Sequence, residues 1–331
     1  MTRNVEIQLW TKGEEAEFFR TYLKRVKPEK LFYYLKEEDL YYAYYPKSYK
    51  GKKTTLQSRN TLIGEYTEEW VWKLLSKVIE DGSKDPQFKE LFKDRNLSVI
   101  KHLVCEELGL GSESPADIAI IRSDKVDKNK MNSEDILLIF EVKMSIVWNW
   151  SYSSKTNELE CKGDFTEHQG NPSLLRSDSM LKAIGKSLSI RLKTAEKSPI
   201  PIIVLGNTPI TEHYAEMVDK FKEKGIIQGF YSLNPSVVKG LQSANDVAHS
   251  KGRKEGYIIK TEHEGFLTVE SYEDFKNRVL TLMKDFVENK SVFLSCLIDK
   301  VVLGRIIEKA SKEENYEKMA EVFVELLQDG E

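Results

Sequence analysis

The sequence predicts an α/β fold in which a central mixed β-sheet is flanked by helices. Three observations carry that reading. Apolar residues recur at helical spacing through 61–80. Ile- and Val-rich runs follow at 98–106, 117–121 and 136–143. Helical and strand patterns then alternate through 177–231. A run of strands followed by αβ alternation implies a mixed sheet with helices packed on it.

The elements follow in chain order. Residues 1–56 are rich in Tyr and Lys, and LFYYLKEEDLYYAYYPKSYKGKKTT alone holds seven Tyr. Short strands or an irregular arm are expected here, so 1–60 is read as an N-terminal extension, with the Tyr rings as half-buried filling. Thr61–Glu80 is a predicted helix: Leu62, Tyr66, Trp70, Leu74 and Val78 form its stripe, Asn60 is placed to cap it, and Gly82 lies past its end. The polar segment after it suits a loop with one helical turn. The fourteen residues Arg122–Asp135 are almost wholly polar and read as the loop of a long hairpin between the second and third strands. Ser177–Lys193 is a helix lined by Leu181, Ile184, Leu188 and Leu192. Ile200–Leu205 is a buried strand, Thr211–Lys224 a helix stopped by Gly225, and Ile226–Tyr231 a further strand. The core is therefore assigned to 61–235. Residues 236–331 read as a mainly helical C-terminal subdomain or a set of docked helices, with amphipathic stretches at Tyr272–Glu288, Val292–Ala310 and Glu313–Leu327.

Composition narrows the class. Hydrophobic residues make up 40% of the 331, enough for a core rather than a disordered chain. The formal net charge is −3, so any nucleic-acid surface must be a local basic patch. The start, MTRNVEIQLW, lacks a basic segment followed by an apolar run, and no apolar stretch nears the roughly 20 residues that span a bilayer. Cys105, Cys161 and Cys296 stand far apart with no CxxC pair, as expected of reduced thiols. The cytoplasm is the expected compartment, with no membrane partner.

The chemistry concentrates in SPADIAII and ILLIFEVKMS. In an antiparallel hairpin the register that pairs Ile121 with Leu137 also pairs Asp117 with Glu141, at one end of the sheet. Side chains alternate along a strand, so Glu141 and Lys143 share a face and Val142 points away. Two carboxylates and an ammonium then meet at an open sheet end. Mg²⁺ takes oxygen ligands, commonly one or two carboxylates plus waters and a substrate phosphate. Asp117, Glu141 and the Val142 carbonyl supply such a set, with Mn²⁺ as a substitute ion. Lys143 is placed to orient a water or to stabilise charge on a phosphate undergoing attack. Read blandly, Glu141 and Lys143 are a solvent-facing pair at a strand end, worth under about 1 kcal/mol.

PADIAI followed by FEVK resembles the motif of the PD-(D/E)XK nuclease superfamily, the restriction-endonuclease-like fold. The resemblance covers residues 61–205, and Ala116 separates Pro115 from the acid where the family pattern sets them side by side. It implies a core of helix, three strands, helix and strand. It implies Mg²⁺-dependent hydrolysis of double-stranded DNA, most like a type II restriction endonuclease, with Asp117, Glu141 and Lys143 as catalytic residues. The family's first-helix acid falls in GEYTEEW, which offers Glu65, Glu68 and Glu69; the G-x-x-x-E spacing selects Glu68. A homodimer is expected, since both strands must be cut, with a DNA methyltransferase as a possible separate chain. The alternatives are a repair or defence nuclease acting on branched, single-stranded or modified DNA, and an inactive DNA-binding protein on the same scaffold. Two basic segments are candidate DNA contacts: Lys50, Lys52, Lys53 and Arg59 in one, Arg176, Lys182 and Lys186 in the other. His168 is read as a loop residue.

Overall fold

The computed structural model describes residues 7–92, 96–122, 129–194, 200–237, 256–288, 305–306, 308–313 and 315–329. Its centre is a six-stranded mixed sheet. β3 (Leu97–Leu103), β4 (Ala116–Arg122) and β5 (Ile136–Val142) form an antiparallel meander; β8 (Ile202–Gly206), β10 (Gly229–Ser232) and β12 (Phe266–Thr268) continue it in parallel from β5. Helices cover both faces, as the hydrophobic patterns predict. α2 (Gln57–Gly82) and α6 (Tyr272–Val287) pack where Ile118, Ile120, Leu138, Phe140, Ile203 and Leu205 point. α4 (Ser177–Thr194) and α5 (Ala215–Glu223) cover the opposite face, with Val204, Phe230 and Phe266 beneath them, and α7 (Tyr316–Asp329) packs on α4. Among the described residues no helix is long and apolar enough to cross a membrane.

The N-terminal region departs from the predicted arm. α1 (Lys12–Leu23) precedes the short strands β1 (Tyr33–Leu35) and β2 (Leu40–Tyr42). Thr11 caps α1 by accepting the Glu14 N–H, and Glu14 and Glu15 favour its positive end. Trp10, Phe18, Phe19, Leu31 and Phe32 are buried with the face that holds α2, so this region completes the core. β1 and β2 join a hairpin that the sequence did not announce, β6 (Asn149–Ser153) and β7 (Glu158–Gly163), in a four-stranded antiparallel sheet. In the outer strand, ELECKG, only Leu159 and Cys161 alternate with the charged residues and reach the core, too short a pattern to mark a strand.

Boundaries shift for physical reasons. α2 begins four residues earlier than expected, so Asn60 lies inside its first turn and does not cap it. Asp85 caps α3 (Pro86–Leu91), the short helix of the polar segment, by accepting the Gln87 and Phe88 N–H groups. Beyond residue 235 the chain still serves the sheet: β11 (Tyr257–Ile258) pairs with β9 (Ile210–Thr211), and β12 is the edge strand. Most of Val292–Ala310 lies outside the described residues, as does Cys296.

The hairpin register matters most. A bulge between Ile120 and Ile121 pairs Ile121 with Ile136 instead of Leu137. The pairs nearer the site keep the expected register, with Ile118 opposite Phe140, so Asp117 comes opposite Glu141.

Candidate active site

Asp117 and Glu141 lie on adjacent strands, on the face that α4 covers, because each alternates with residues buried there (Ala119, Ile121 and Ile139). Lys143 extends one residue past β5 on the same face. Its ammonium lies 3.1 Å from Asp117 Oδ2, 3.0 Å from Glu141 Oε2 and 3.4 Å from the Val142 carbonyl. Asp117 Oδ2 also accepts the Val142 N–H at 2.7 Å, tying the two strand ends together. The cluster sits where β5 and β8 end, the usual place for a site on a sheet with parallel strands.

A fourth residue enters from α4. Lys186 Nζ is 2.7 Å from Glu141 Oε1 and 3.6 Å from Asp117 Oδ1, and it donates to the Pro115 carbonyl. The contact to Glu141 is an ion pair without hydrogen-bond alignment, since Oε1 is buried with no aligned donor. This corrects the expectation that Lys186 lies on the polar side of its helix as a DNA contact. Ala183, Lys186, Ser187 and Ile190 form one buried stripe of α4, a spacing visible in the sequence.

The electrostatics follow from burial and these pairs. Burial presses Asp117 upward, but Lys143, Lys186 and the Val142 N–H outweigh it and hold the acid below the usual carboxylate range. Burial and then Asp117 raise Glu141, and the two lysines only partly oppose them. Burial works against the Lys143 charge, yet the two acids raise its pKa above the ordinary lysine value.

Glu68 belongs to this field. Burial, followed by the Asp117 charge, pushes its carboxyl up to about 7. Of the other two acids in GEYTEEW, Glu69 is bound to Lys101 and Lys73, and Glu65 is exposed. Of the three, Glu68 is the acid that feels the Asp117 and Glu141 charges. Between the ordinary glutamate value of 4.5 and about 7, the folded chain holds a proton that the unfolded chain has released. Stability therefore falls as pH rises through this window, and the loss is complete above about 7. E68Q, which cannot ionise, is expected to gain on the parent between pH 5 and pH 8; equal urea midpoints for the two at both pH values would refute this.

His102 was not foreseen. The pairs Lys101–Ile118 and Leu103–Ala116 flank it, so it sits beside Asp117 on β3. Its backbone is left-handed, φ 53°, and its ring is 3.8 Å from Glu68 Oε2. A non-glycine residue there costs of order 1 kcal/mol and is common near functional sites. A local kink in a strand leaves no mark in hydrophobic periodicity.

The backbone after Lys143 is firmly held. Lys143 N–H donates to the Leu205 carbonyl at 2.7 Å, and Ser173 Oγ donates to the Lys143 carbonyl at 2.7 Å. Asn207, in the GNTP exit from β8, accepts the Ser145 N–H and donates to the Ser145 carbonyl.

A cleft of about 630 Å³ opens from Lys143 and Val142. Its walls include Tyr33, Tyr44, Tyr45, Lys53, Asn171 and Arg176. Of the predicted DNA contacts, Lys50, Lys52 and Lys53 are exposed, and Lys53 reaches the cleft. Arg176 also lines it, paired with Asp178. Lys182 faces away, 2.9 Å from Glu317 of α7. Arg59 also lines the cleft but is almost wholly buried: it donates to the Ala43 carbonyl and lies over the rings of Tyr33 and Tyr44 at 5.4 and 4.6 Å. Its role is to hold the Tyr-rich segment. Gln169 also serves that segment, its amide donating to the carbonyls of Pro46 and Tyr49 at 2.7 Å each. His168 is buried; its Nδ1 accepts the Gly170 N–H, which assigns the proton to Nε2 facing the Val147 carbonyl.

No protein-family model, curated protein or solved structure matches the chain. Among the described residues no three His, Cys, Asp or Glu side chains gather into a metal cage by themselves. The oxygens nearest Lys143 make a smaller set: two carboxylates and one carbonyl, already focused on a positive charge. That set fits the few protein ligands Mg²⁺ takes beside its waters, the ammonium standing in for the ion.

Proposed function

We propose that this chain is a Mg²⁺-dependent endonuclease that hydrolyses phosphodiester bonds of duplex DNA on a restriction-endonuclease-like core, and that it acts as a sequence-specific enzyme of the type II restriction kind. The observation that carries the reading is that Asp117 and Glu141 each lie within hydrogen-bond reach of Lys143, which lines a cleft with basic side chains. The chain order α2, β3, β4, β5, α4, β8 supports it, with the β6–β7 hairpin inserted after β5.

Asp117, Glu141 and the Val142 carbonyl would hold Mg²⁺, which when bound polarises the phosphate and makes water more acidic. In the ion-free chain the two acids favour the Lys143 charge, which places it as a donor and a positive charge. Its place on the cleft wall lets it steady the attacked phosphate or the water beside it. Glu68 is the group that can take up a proton near neutral pH. Lys53 and Arg176 line the path of the DNA backbone, so binding should weaken steeply with salt.

The test is plasmid digestion with Mg²⁺, with Mn²⁺ and with a chelator. Discrete fragments that need the ion, lost in D117A and K143A while DNA binding persists, are the expected result. A smear points to a nuclease without sequence preference, and undiminished cutting by both variants overturns the site.

A further inference from the structure

The two acids present four carboxylate oxygens, and two ammonium groups divide them. Lys143 takes Asp117 Oδ2 and Glu141 Oε2, at 3.1 and 3.0 Å. Lys186 takes Glu141 Oε1 and Asp117 Oδ1, at 2.7 and 3.6 Å. The two positions differ in access. Lys143 lines the cleft and its side chain is 19% exposed. The Lys186 side chain is 9% exposed, rises from the buried stripe of α4, and is tied by the Pro115 carbonyl.

We propose that Lys186 is a buried basic side chain that restricts the acid pair to one divalent ion, occupying the place a second ion would need. The inference rests on the metal-dependent reading above. Lys143 can yield its position, because the cleft gives its ammonium somewhere to go. Lys186 has no such exit: withdrawing it would leave its ammonium buried among Ala183, Ser187 and Ile190 without a counter-charge. With Lys186 in place, one divalent ion already overcompensates the two carboxylates, so a second meets repulsion in addition to an occupied seat. Lys186 is thus a positioning residue. It touches neither substrate nor the reacting atoms, and it fixes Glu141 from behind.

The experiment counts Mn²⁺ on the full chain, by calorimetric titration and by electron paramagnetic resonance. The wild type is expected to bind one Mn²⁺, with an uncoupled spectrum. K186A opens the seat and is expected to bind two, with the spin coupling of a close pair, whereas K186R keeps the charge and stays at one. Two ions on the wild type overturn the proposal and leave the nuclease reading intact. So does a folded K186A that still binds one. No Mn²⁺ on the wild type at millimolar concentration removes the metal-dependent reading and this inference with it. Should K186A fail to fold, K186S is counted in its place, and a folded K186S that still binds one Mn²⁺ overturns the proposal.

Discussion

Replacing Glu141 by Ala is expected to cost about 3–5 kcal/mol of stability and at least about 10³-fold in cleavage rate, whereas the double variant E141L/K186M is expected to recover the stability and none of the cleavage. The stability term comes from what remains. Glu141 is fully buried, and Lys186 and Lys143 both lean on it. Removing the acid strands the Lys186 ammonium inside the protein with only the longer contact to Asp117 and the Pro115 carbonyl. A buried charge without its partner is worse than no charge, so taking away both partners and filling the space with apolar carbon is mild. The catalytic term has a different source, because neither Leu nor Met can hold a cation or shape the Asp117 carboxylate. Urea unfolding of the parent, E141L, K186M and E141L/K186M gives the coupling energy of the pair directly. A midpoint for E141A equal to that of the parent would show that the pair is not buried as described. Recovered cleavage in the double variant would place the chemistry elsewhere.

A second large effect is expected far from the reacting groups. Glu15 is buried, and its two oxygens accept four N–H groups: Trp10 Nε1 at 3.3 Å and Val147 N at 2.6 Å on one, Trp148 N and Trp150 Nε1 at 3.1 Å each on the other. Burial raises its carboxyl to about 8, although all four donors oppose the shift and favour the ionised form. Through them α1 grips the stretch that runs from Lys143 into β6. E15Q keeps the shape but turns one acceptor into a donor, so two buried N–H groups lose their partner and face an amide hydrogen. Destabilisation of about 3 kcal/mol is expected, larger than that of E15A if water enters the space left by the shorter side chain. Thermal unfolding checks the first figure; an E15Q variant as stable as the parent would mean that this clamp is not satisfied as drawn. Cleavage by folded E15Q should fall as well, because the backbone that follows Lys143 loses an anchor.

Much of the fold was legible because burial imposes a period. α2, β4, β5, α4 and β8 each bury an apolar set at 3.6 or 2.0 residues, or form a short continuous apolar run, and their order could be read from ILLIF, IPIIVL and the Leu62–Val78 stripe. α1 and the β6–β7 hairpin were not legible. KGEEAEFFRTYL is mostly polar, ELECKG is an exposed edge, and both are held by contacts from distant residues, Glu15 to Trp150 among them. The basic residues were the hardest to place. Lys53 and Lys186 look alike in one dimension, yet one lies exposed on the cleft wall and the other is buried against two acids.

The sequence by itself determined that Asp117 and Glu141 meet. Strand alternation and an antiparallel register are local rules, and they hold near the site even though the bulge at Ile120 and Ile121 shifts the pairing farther along. Only the tertiary structure decided which side chains complete the cluster. Lys186 arrives on a helix 45 positions beyond Glu141, and His102 comes from the neighbouring strand. The physical reason is that a side chain's partner is set by the packing of whole elements against one another, and a charge comes to rest where that packing supplies its counter-charge.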